Sequence, residues 1–312
     1  MQRLIVVYNP NSSQYVHVKA NFLTELPKLK GYTIGKYAIK KAPFNDNVVN
    51  LQKILKKGDI VIAAGGDATA SIAMNAILLS KKDITFGVLP YGNFNDLART
   101  LGTMNTTRML GYLKGQESSS APLVVKRLYP LDIIVDGKHW RYASGYVTIG
   151  MTAEAVELFD EPKFRKKMQK GHKSSWRSYL ALAKWYFKNR HKKVFIPEFT
   201  LNGQPTKSKI SDYCALSGRS MCRVMKGGND YLRPEVFRSE NCRLTSFPRL
   251  FNLMAKSILF RVPGQETTSD TIRFKNPATV EIQAEGEYNI FKDITTITIV
   301  KPTDVSIKVI HQ

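Results

Sequence analysis

Two apolar runs, residues 59–64 and 84–89, each break into a small-residue polar turn, Gly65-Gly66-Asp67-Ala68-Thr69 and Pro90-Tyr91-Gly92-Asn93-Phe94-Asn95-Asp96-Leu97-Ala98-Arg99. Near-continuous apolar runs of this length are expected of strands covered on both faces, as in a parallel sheet. Such a strand delivers the chain to one sheet edge, glycines let the backbone approach a ligand, and the following helix turns its positive N-terminus toward an anion. A lone Gly-Gly-Asp reads as a turn and no more. The same construction made twice in one segment points to a phosphate-handling edge, and a third polar turn, Asn9-Pro10-Asn11-Ser12-Ser13, follows the first strand at residues 4–8.

Short apolar runs alternate with helical patterns up to about residue 123, the signature of a doubly wound α/β layer. Residues 48–55 read as a helix with Val48, Val49, Leu51, Ile54 and Leu55 on its buried side, and residues 69–79 as a helix with a small-residue start. After Pro130 the rhythm changes. Residues 131–135 and 140–147 flank Asp136-Gly137, which favours a tight hairpin turn. Alternation returns in residues 194–201 before Asn202-Gly203, then in 210–216, 271–274, 279–283 and 295–300. The expectation is therefore an α/β domain over residues 1–128 and an all-β, sandwich-like domain over 129–300. A last strand at 305–310 is expected to return to the first domain, so that residues 301–312 complete it. Helical insertions are expected near 163–193 and 246–262, both rich in basic residues and carrying aromatic and aliphatic side chains at helical spacing. Each reads either as a core-packed stripe with a charged outer face or as an interfacial membrane helix.

Charge and cysteine usage narrow the setting. With 47 Lys plus Arg against 25 Asp plus Glu, the formal net charge is +22, which attracts polyanions or an anionic membrane surface. No nucleic-acid recognition motif accompanies the basic segments, so no specific nucleic-acid partner is expected. No stretch approaches the roughly twenty apolar residues of a membrane-spanning helix, and the five-residue opening run is too short for a signal-peptide core. Cys214, Cys222 and Cys242 lack CxxC spacing and read as reduced thiols of a cytoplasmic protein. The five histidines are scattered, and no His/Cys metal site or local Ser-His-Asp arrangement is signalled.

In the first turn Asp67 can hold Mg²⁺ through water or orient a hydroxyl nucleophile, and Thr69 can offer its hydroxyl to a phosphate, so phosphoryl transfer is favoured over plain anion binding. In the second, Asn95 and Asp96 could either serve the ligand or cap a helix beginning at Leu97.

Asn9-Pro10-x-Ser12, Gly65-Gly66-Asp67-x-Thr69, Pro90-x-Gly92-x-x-Asn95-Asp96-x-Ala98-Arg99 and, far downstream, Glu285-Gly286-Glu287-Tyr288 together resemble the diacylglycerol kinase catalytic family of bacterial lipid kinases. The resemblance implies an ATP-binding N-terminal domain akin to those of NAD kinases and phosphofructokinases, a lipid-binding β-sandwich, and an active site in the cleft between them. It implies that Asn9, Asn11, Ser12 and Ser13 form a nucleotide-contacting turn, with Gly65, Gly66, Asp67, Ala68 and Thr69 as the phosphate loop and Gly92, Asn93, Asn95 and Asp96 opposite. Glu287 takes the place of the general base, Glu285 that of the aspartate before it, Asp132 that of an aspartate networked with the loops, and Glu240 that of a ligand to a structural Mg²⁺. ATP and Mg²⁺ are the implied cofactors. A membrane lipid, diacylglycerol first, is the implied substrate of a cytoplasmic protein peripheral to an anionic membrane, with a homodimer among the expected states.

The sequence also departs from the pattern. Ala68 replaces a glycine and would be strained at positive φ, Ile72 replaces a glutamate, Asn93 a threonine and Ser13 a glycine, Phe94 adds bulk near the site, and Asn241 follows Glu240 where glycine is expected. These departures motivate a second expectation, a non-catalytic lipid- or nucleotide-binding protein on the same scaffold.

Overall fold

The computed structural model describes residues 1–12, 14–92, 94–115, 123–154, 184–185, 196–206, 210–221, 225–226, 236–242 and 265–312, the side chains of 220, 225–226 and 240–242 excepted. The chain divides into two units, Met1–Tyr129 with Thr303–Gln312, and Pro130–Pro302.

The first unit is built on β1 (Gln2–Tyr8), β2 (Tyr32–Ala38), β3 (Ile60–Gly65), β4 (Thr85–Pro90), β5 (Val124–Leu128) and the last strand of the chain, β18 (Ile307–His311), in the order β2-β1-β3-β4-β18-β5. All neighbours are parallel except β18 and β5. Residues Leu4 to Val7, Val61 to Ala64 and Phe86 to Leu89 are buried, as two-sided coverage requires. Five helices follow the strands: α1 (Tyr15–Val18), α2 (Phe44–Ile54), α3 (Asp67–Ser80), α4 (Asp96–Thr100) and α5 (Thr106–Leu113). Every residue from Thr69 to Ile77 of α3 is buried, which explains why this helix is apolar around its circumference. Its C-cap, Lys81, takes the left-handed conformation at φ 55° that ends many helices.

Register decides where the turns fall. Tyr8 pairs with Ala64 and Gly65 with Pro90, so β1, β3 and β4 end at the same level of the sheet. The chain steps from β1 to β2 on one side, then crosses to β3 on the other, which puts the topological switch point between β1 and β3.

The second unit contains β6 (Leu131–Val135), β7 (Lys138–Ala143), β8 (Tyr146–Gly150), β9 (Phe199–Leu201), β10 (Gln204–Pro205), β11 (Asp212–Leu216), β12 (Ser220–Met221), β13 (Met225–Lys226), β14 (Phe237–Cys242), β15 (Gln265–Thr267), β16 (Ser269–Ala284) and β17 (Glu287–Val300). Ten of them form one antiparallel sheet along β15-β14-β11-β8-β16-β17-β6-β7, with β9 and β10 attached through β16, while β12 and β13 pair separately. Its core gathers Ile133, Val147, Ile149, Tyr213, Phe237, Ile272, Ile282 and Ile297. Cys214 is buried beside Tyr146, Leu216 and Met221, while the side chains of Cys222 and Cys242 lie outside the described residues. Both basic insertions also lie outside the description, apart from Lys184 and Trp185, which are helical.

Three strand readings change. The run at 140–147 is two strands, parted at Ser144-Gly145. The runs at 271–274 and 279–283 are one sixteen-residue strand, β16, whose register shifts near Pro277 absorb a residue with no N–H to donate. The last long strand, β17, starts at Glu287 rather than 295.

Two-residue turns with both residues at positive φ, the type I′ pattern, join three hairpins: Asp136-Gly137, Asn202-Gly203 and Glu285-Gly286. Asp136 does more than turn the chain, since its Oδ1 accepts from the backbone N–H and hydroxyl of both Thr295 and Thr296. Desolvation pushes its carboxyl up, but those four hydrogen bonds together outweigh it and hold the group below its ordinary pKa. Replacement by alanine is expected to cost about 1 kcal/mol of second-unit stability at neutral pH. A depressed carboxyl stabilises above its unfolded pKa of about 3.9, so the gap between parent and Asp136→Ala shrinks as pH falls through the lower folded value. Urea unfolding followed by tryptophan fluorescence from pH 2 to 7 measures that gap.

Candidate functional site

The three polar turns leave the sheet together, on adjacent strands and at the switch point. After β1, the Asn9 carbonyl accepts from Ser12 N–H at 3.1 Å and its side-chain Oδ1 accepts from Asn11 N–H at 2.9 Å, which rounds the chain into a compact turn. After β3, Gly66 is the N-cap of α3 in an extended conformation, with no side-chain cap on the fourteen-residue helix. The first turn of α3, which carries Asp67 and Thr69, therefore starts at the switch-point end of the sheet without a side-chain cap from Gly66.

The turns after β3 and β4 are clasped backbone to backbone. A methyl group added to Gly92 would lie 2.3 Å from the Cα of Gly66, and one added to Gly66 would lie 3.1 Å from the Cα of Gly92. Tyr91 N–H donates to the Gly65 carbonyl at 3.0 Å. The buried Asn95, held at φ 55°, folds back so that its Oδ1 accepts from Gly92 N–H at 2.6 Å and its Nδ2 donates to the Gly92 carbonyl at 2.8 Å. Asp67 then bridges the turns, with Oδ1 accepting from Leu97 N–H at 3.2 Å in the first turn of α4.

These contacts revise the expected capping. The helix begins at Asp96, the Asn95 side chain serves its own turn, and the carboxylate that satisfies the α4 N-terminus comes from Asp67 of the other turn. Ala68 is absent from the residues at positive φ and occupies a regular helical position in the first turn of α3, so its methyl is accommodated without backbone strain. Thr69 is 4% exposed and its side chain packs on Gly65. Asp96 is also buried, and Ile72 belongs to the buried circumference of α3. Ser13 and Asn93 lie outside the described residues.

The second unit brings a different set together. Glu285 is buried at the tip of the β16–β17 hairpin, in the left-handed region at φ 52°. Its Oε1 accepts from the N–H groups of Ser144 and Gly145, both at 2.7 Å, and from the Ser144 hydroxyl. Because β7 and β8 are separated in the sheet by β6, β17 and β16, their two-residue link requires the sheet to curl until the end of β7 meets β8. Glu285 sits at that closure and takes up its two N–H groups. Arg141 of β7 is 5% exposed, and its guanidinium lies 4.1 Å from the Trp140 ring centroid. Burial pushes Arg141 down to about 10, while the carboxylates of Glu287 and Glu285 pull it up, so it stays a cation at neutral pH. Glu287, at the start of β17, is half-buried. The Asp132 carboxylate on β6 is hydrogen-bonded to His139 Nδ1 on β7 at 2.6 Å. Glu240 lies on β14, with its side chain outside the description.

Sequence reading missed Arg141 and Ser144. A usable signal existed in Glu285-Gly286, a dipeptide with glycine in the second turn position between two alternating runs, which marks a hairpin tip whose acidic side chain needs partners. Among the described residues no group of three or more His, Cys, Asp or Glu side chains could hold a metal ion by itself. No described helix is long and apolar enough to cross a membrane.

The fold is thus an α/β unit with three polar turns at its switch point, joined in sequence to a curled antiparallel β unit. Residues 3–121 match the model of the diacylglycerol kinase catalytic domain. Curated diacylglycerol kinases of Bacillus subtilis (strain 168) and Staphylococcus aureus (strain bovine RF122 / ET3-1) are each 33% identical, over 104 and 111 residues. Each match covers 33% of this chain, and 34% and 33% of those proteins, about a third of the relatives' own length. The fold extends further: a putative diacylglycerol kinase from Bacillus anthracis str. Sterne superposes with a TM-score of 0.66 at 16% identity, covering 100% of this chain and 97% of that one. A second diacylglycerol kinase structure from the same organism gives 0.63 at 14% identity.

Gly92→Ala is expected to lower stability by about 1–3 kcal/mol through overpacking, and more than Gly66→Ala, because the nearer backbone cannot yield. Thermal melting of the two variants gives that ranking. Glu285→Ala leaves two N–H groups of the β7–β8 link without their acceptor, and the expected loss of about 2–4 kcal/mol is read by urea unfolding.

Proposed function

We propose that this protein is an ATP- and Mg²⁺-dependent lipid kinase that phosphorylates a hydroxyl of a membrane lipid, with diacylglycerol as the first candidate. The observation that carries the reading is the arrival of three polar turns and the N-terminus of α3, capped by Gly66 and led by Asp67, at the switch point of a parallel sheet. Oriented N–H groups and a helix N-terminus favour a polyphosphate there. The Gly66–Gly92 contact supports the same reading, since it keeps side chains away from where phosphate oxygens would lie.

The lipid hydroxyl oxygen attacks the γ-phosphorus of ATP, the bond from that phosphorus to the β,γ-bridging oxygen breaks, and ADP leaves. The hydroxyl proton passes to the Glu287 carboxylate. Mg²⁺ commonly binds through one or two carboxylates plus substrate phosphates. The donor set fits that arrangement, with Asp67 as the carboxylate beside the phosphate loop, and when bound the cation would neutralise charge on the phosphates. Backbone groups of the three turns orient the polyphosphate, and Asp67 sets the spacing of two of those turns through Leu97.

The charge of +22 favours docking on an anionic bilayer, where the substrate resides. This reading makes the protein a peripheral visitor to the membrane surface.

Purified protein with labelled ATP, Mg²⁺ and mixed lipid vesicles is expected to give labelled phospholipid. Asp67→Ala and Glu287→Gln should each lower turnover by about 100-fold or more. Turnover that is absent with every lipid, or unchanged in both variants, rejects the assignment. Vesicle binding should weaken as salt rises and as anionic lipid is withdrawn.

A further inference from the structure

We propose that Arg141 is a positioning residue for Glu287: its buried guanidinium, braced by the Glu285 clasp, fixes where the Glu287 carboxylate sits. The inference rests on the lipid-kinase reading for its consequence, but on geometry for its substance. Two contacts lock β7 to the hairpin that carries Glu287. Near one end, Trp140 meets Phe291 edge to face at 5.2 Å, and Phe291 shares a face of β17 with Glu287 because strand side chains alternate. At the other, Ser144 and Gly145 donate to Glu285. Arg141 lies between those anchors, 5% exposed, and a cation that deep requires negative partners. Its charge interacts with Glu287 first and Glu285 second.

The titratable residues on the segments that flank Glu287 and Arg141 are Tyr142 of β7, Tyr146 of β8, Glu285 of the turn and Tyr288 of β17, besides Arg141 itself. Arg141 is the cation among them. Two carboxylates two residues apart repel one another, and Arg141 offsets that repulsion. Glu285 is fixed by the β7–β8 link, which leaves the half-buried Glu287 as the group that can exchange a proton with a substrate.

The arrangement makes a signed prediction. The full chain is labelled with ¹³C at glutamate carboxyls and titrated by NMR, with Glu287 assigned from the spectrum of Glu287→Gln. Arg141→Met should raise the Glu287 midpoint by about one unit or more, the usual effect of removing an adjacent opposite charge. Arg141→Lys keeps the charge and should leave the midpoint close to that of the parent. Glu285→Gln retains an acceptor for Ser144 and Gly145, removes the like charge, and should lower the midpoint. The acid limb of kcat should move with the same signs while KM changes little.

General structural damage moves all variants one way, so shifts of a single sign overturn the proposal, as does an unmoved midpoint in both Arg141→Met and Glu285→Gln. If Arg141→Met does not fold, Glu285→Gln against Arg141→Lys decides: failure of the former to lower the midpoint overturns it. Signed NMR shifts without lipid phosphorylation in the parent leave the coupling standing and remove the kinase reading.

Discussion

The turns at the switch point of the first unit depend on one steric constraint, the contact between the backbones of Gly66 and Gly92. Parallel pairing brings the ends of β3 and β4 level, but neighbouring strands alone would leave two independent turns. The absence of side chains at both positions lets the turns touch, and only then can Asn95 close on Gly92 and Asp67 reach Leu97. A side chain at Gly92 would part them. The clasp joins the two turns into a single rim, and under the proposed kinase reading that matters because a phosphate cradle works by presenting N–H groups already oriented.

The second unit solves an analogous problem with a charge. Its sheet curls, and the short link from β7 to β8 passes the tip of the β16–β17 hairpin where no strand ladder can continue. Glu285 supplies the acceptors that a neighbouring strand would otherwise provide. Its longer side chain at the position where the family pattern has aspartate reaches both N–H groups of that link. The negative charge this buries is balanced by Arg141, and Glu287 lies next to the balance, so stability and the setting of the candidate base arise from the same cluster.

Much of this was legible residue by residue. The apolar runs at 59–64 and 84–89 announced two-sided strands, and Asp136-Gly137 and Asn202-Gly203 announced hairpins, because those signals are local. The Glu285-Gly286 hairpin escaped because glutamate seldom occupies its turn position. The single strand β16 escaped because Pro277 and its neighbours resemble a break, while the sheet accommodates them by register shifts. At the site, Asp67 was legible as a chemically important carboxylate, but its bond to Leu97 was not, since the partners lie thirty residues apart. Thr69 and Ala68 show the converse. Thr69 lies buried in helix α3, and the strain anticipated for Ala68 at positive φ does not arise, because the residue sits in a regular first turn.

The sequence by itself determined the strand-to-turn chemistry, the change from α/β to antiparallel rhythm near Pro130, and the residue types able to handle phosphate and a hydroxyl proton. These follow from side-chain periodicity and backbone freedom, which act over a few residues. Only the tertiary structure decided which turns touch, that Asp67 joins them, and that Arg141 and Glu285 frame Glu287. Those outcomes depend on strand register and sheet curvature, which bring distant residues within the few ångströms where sterics and charge take effect.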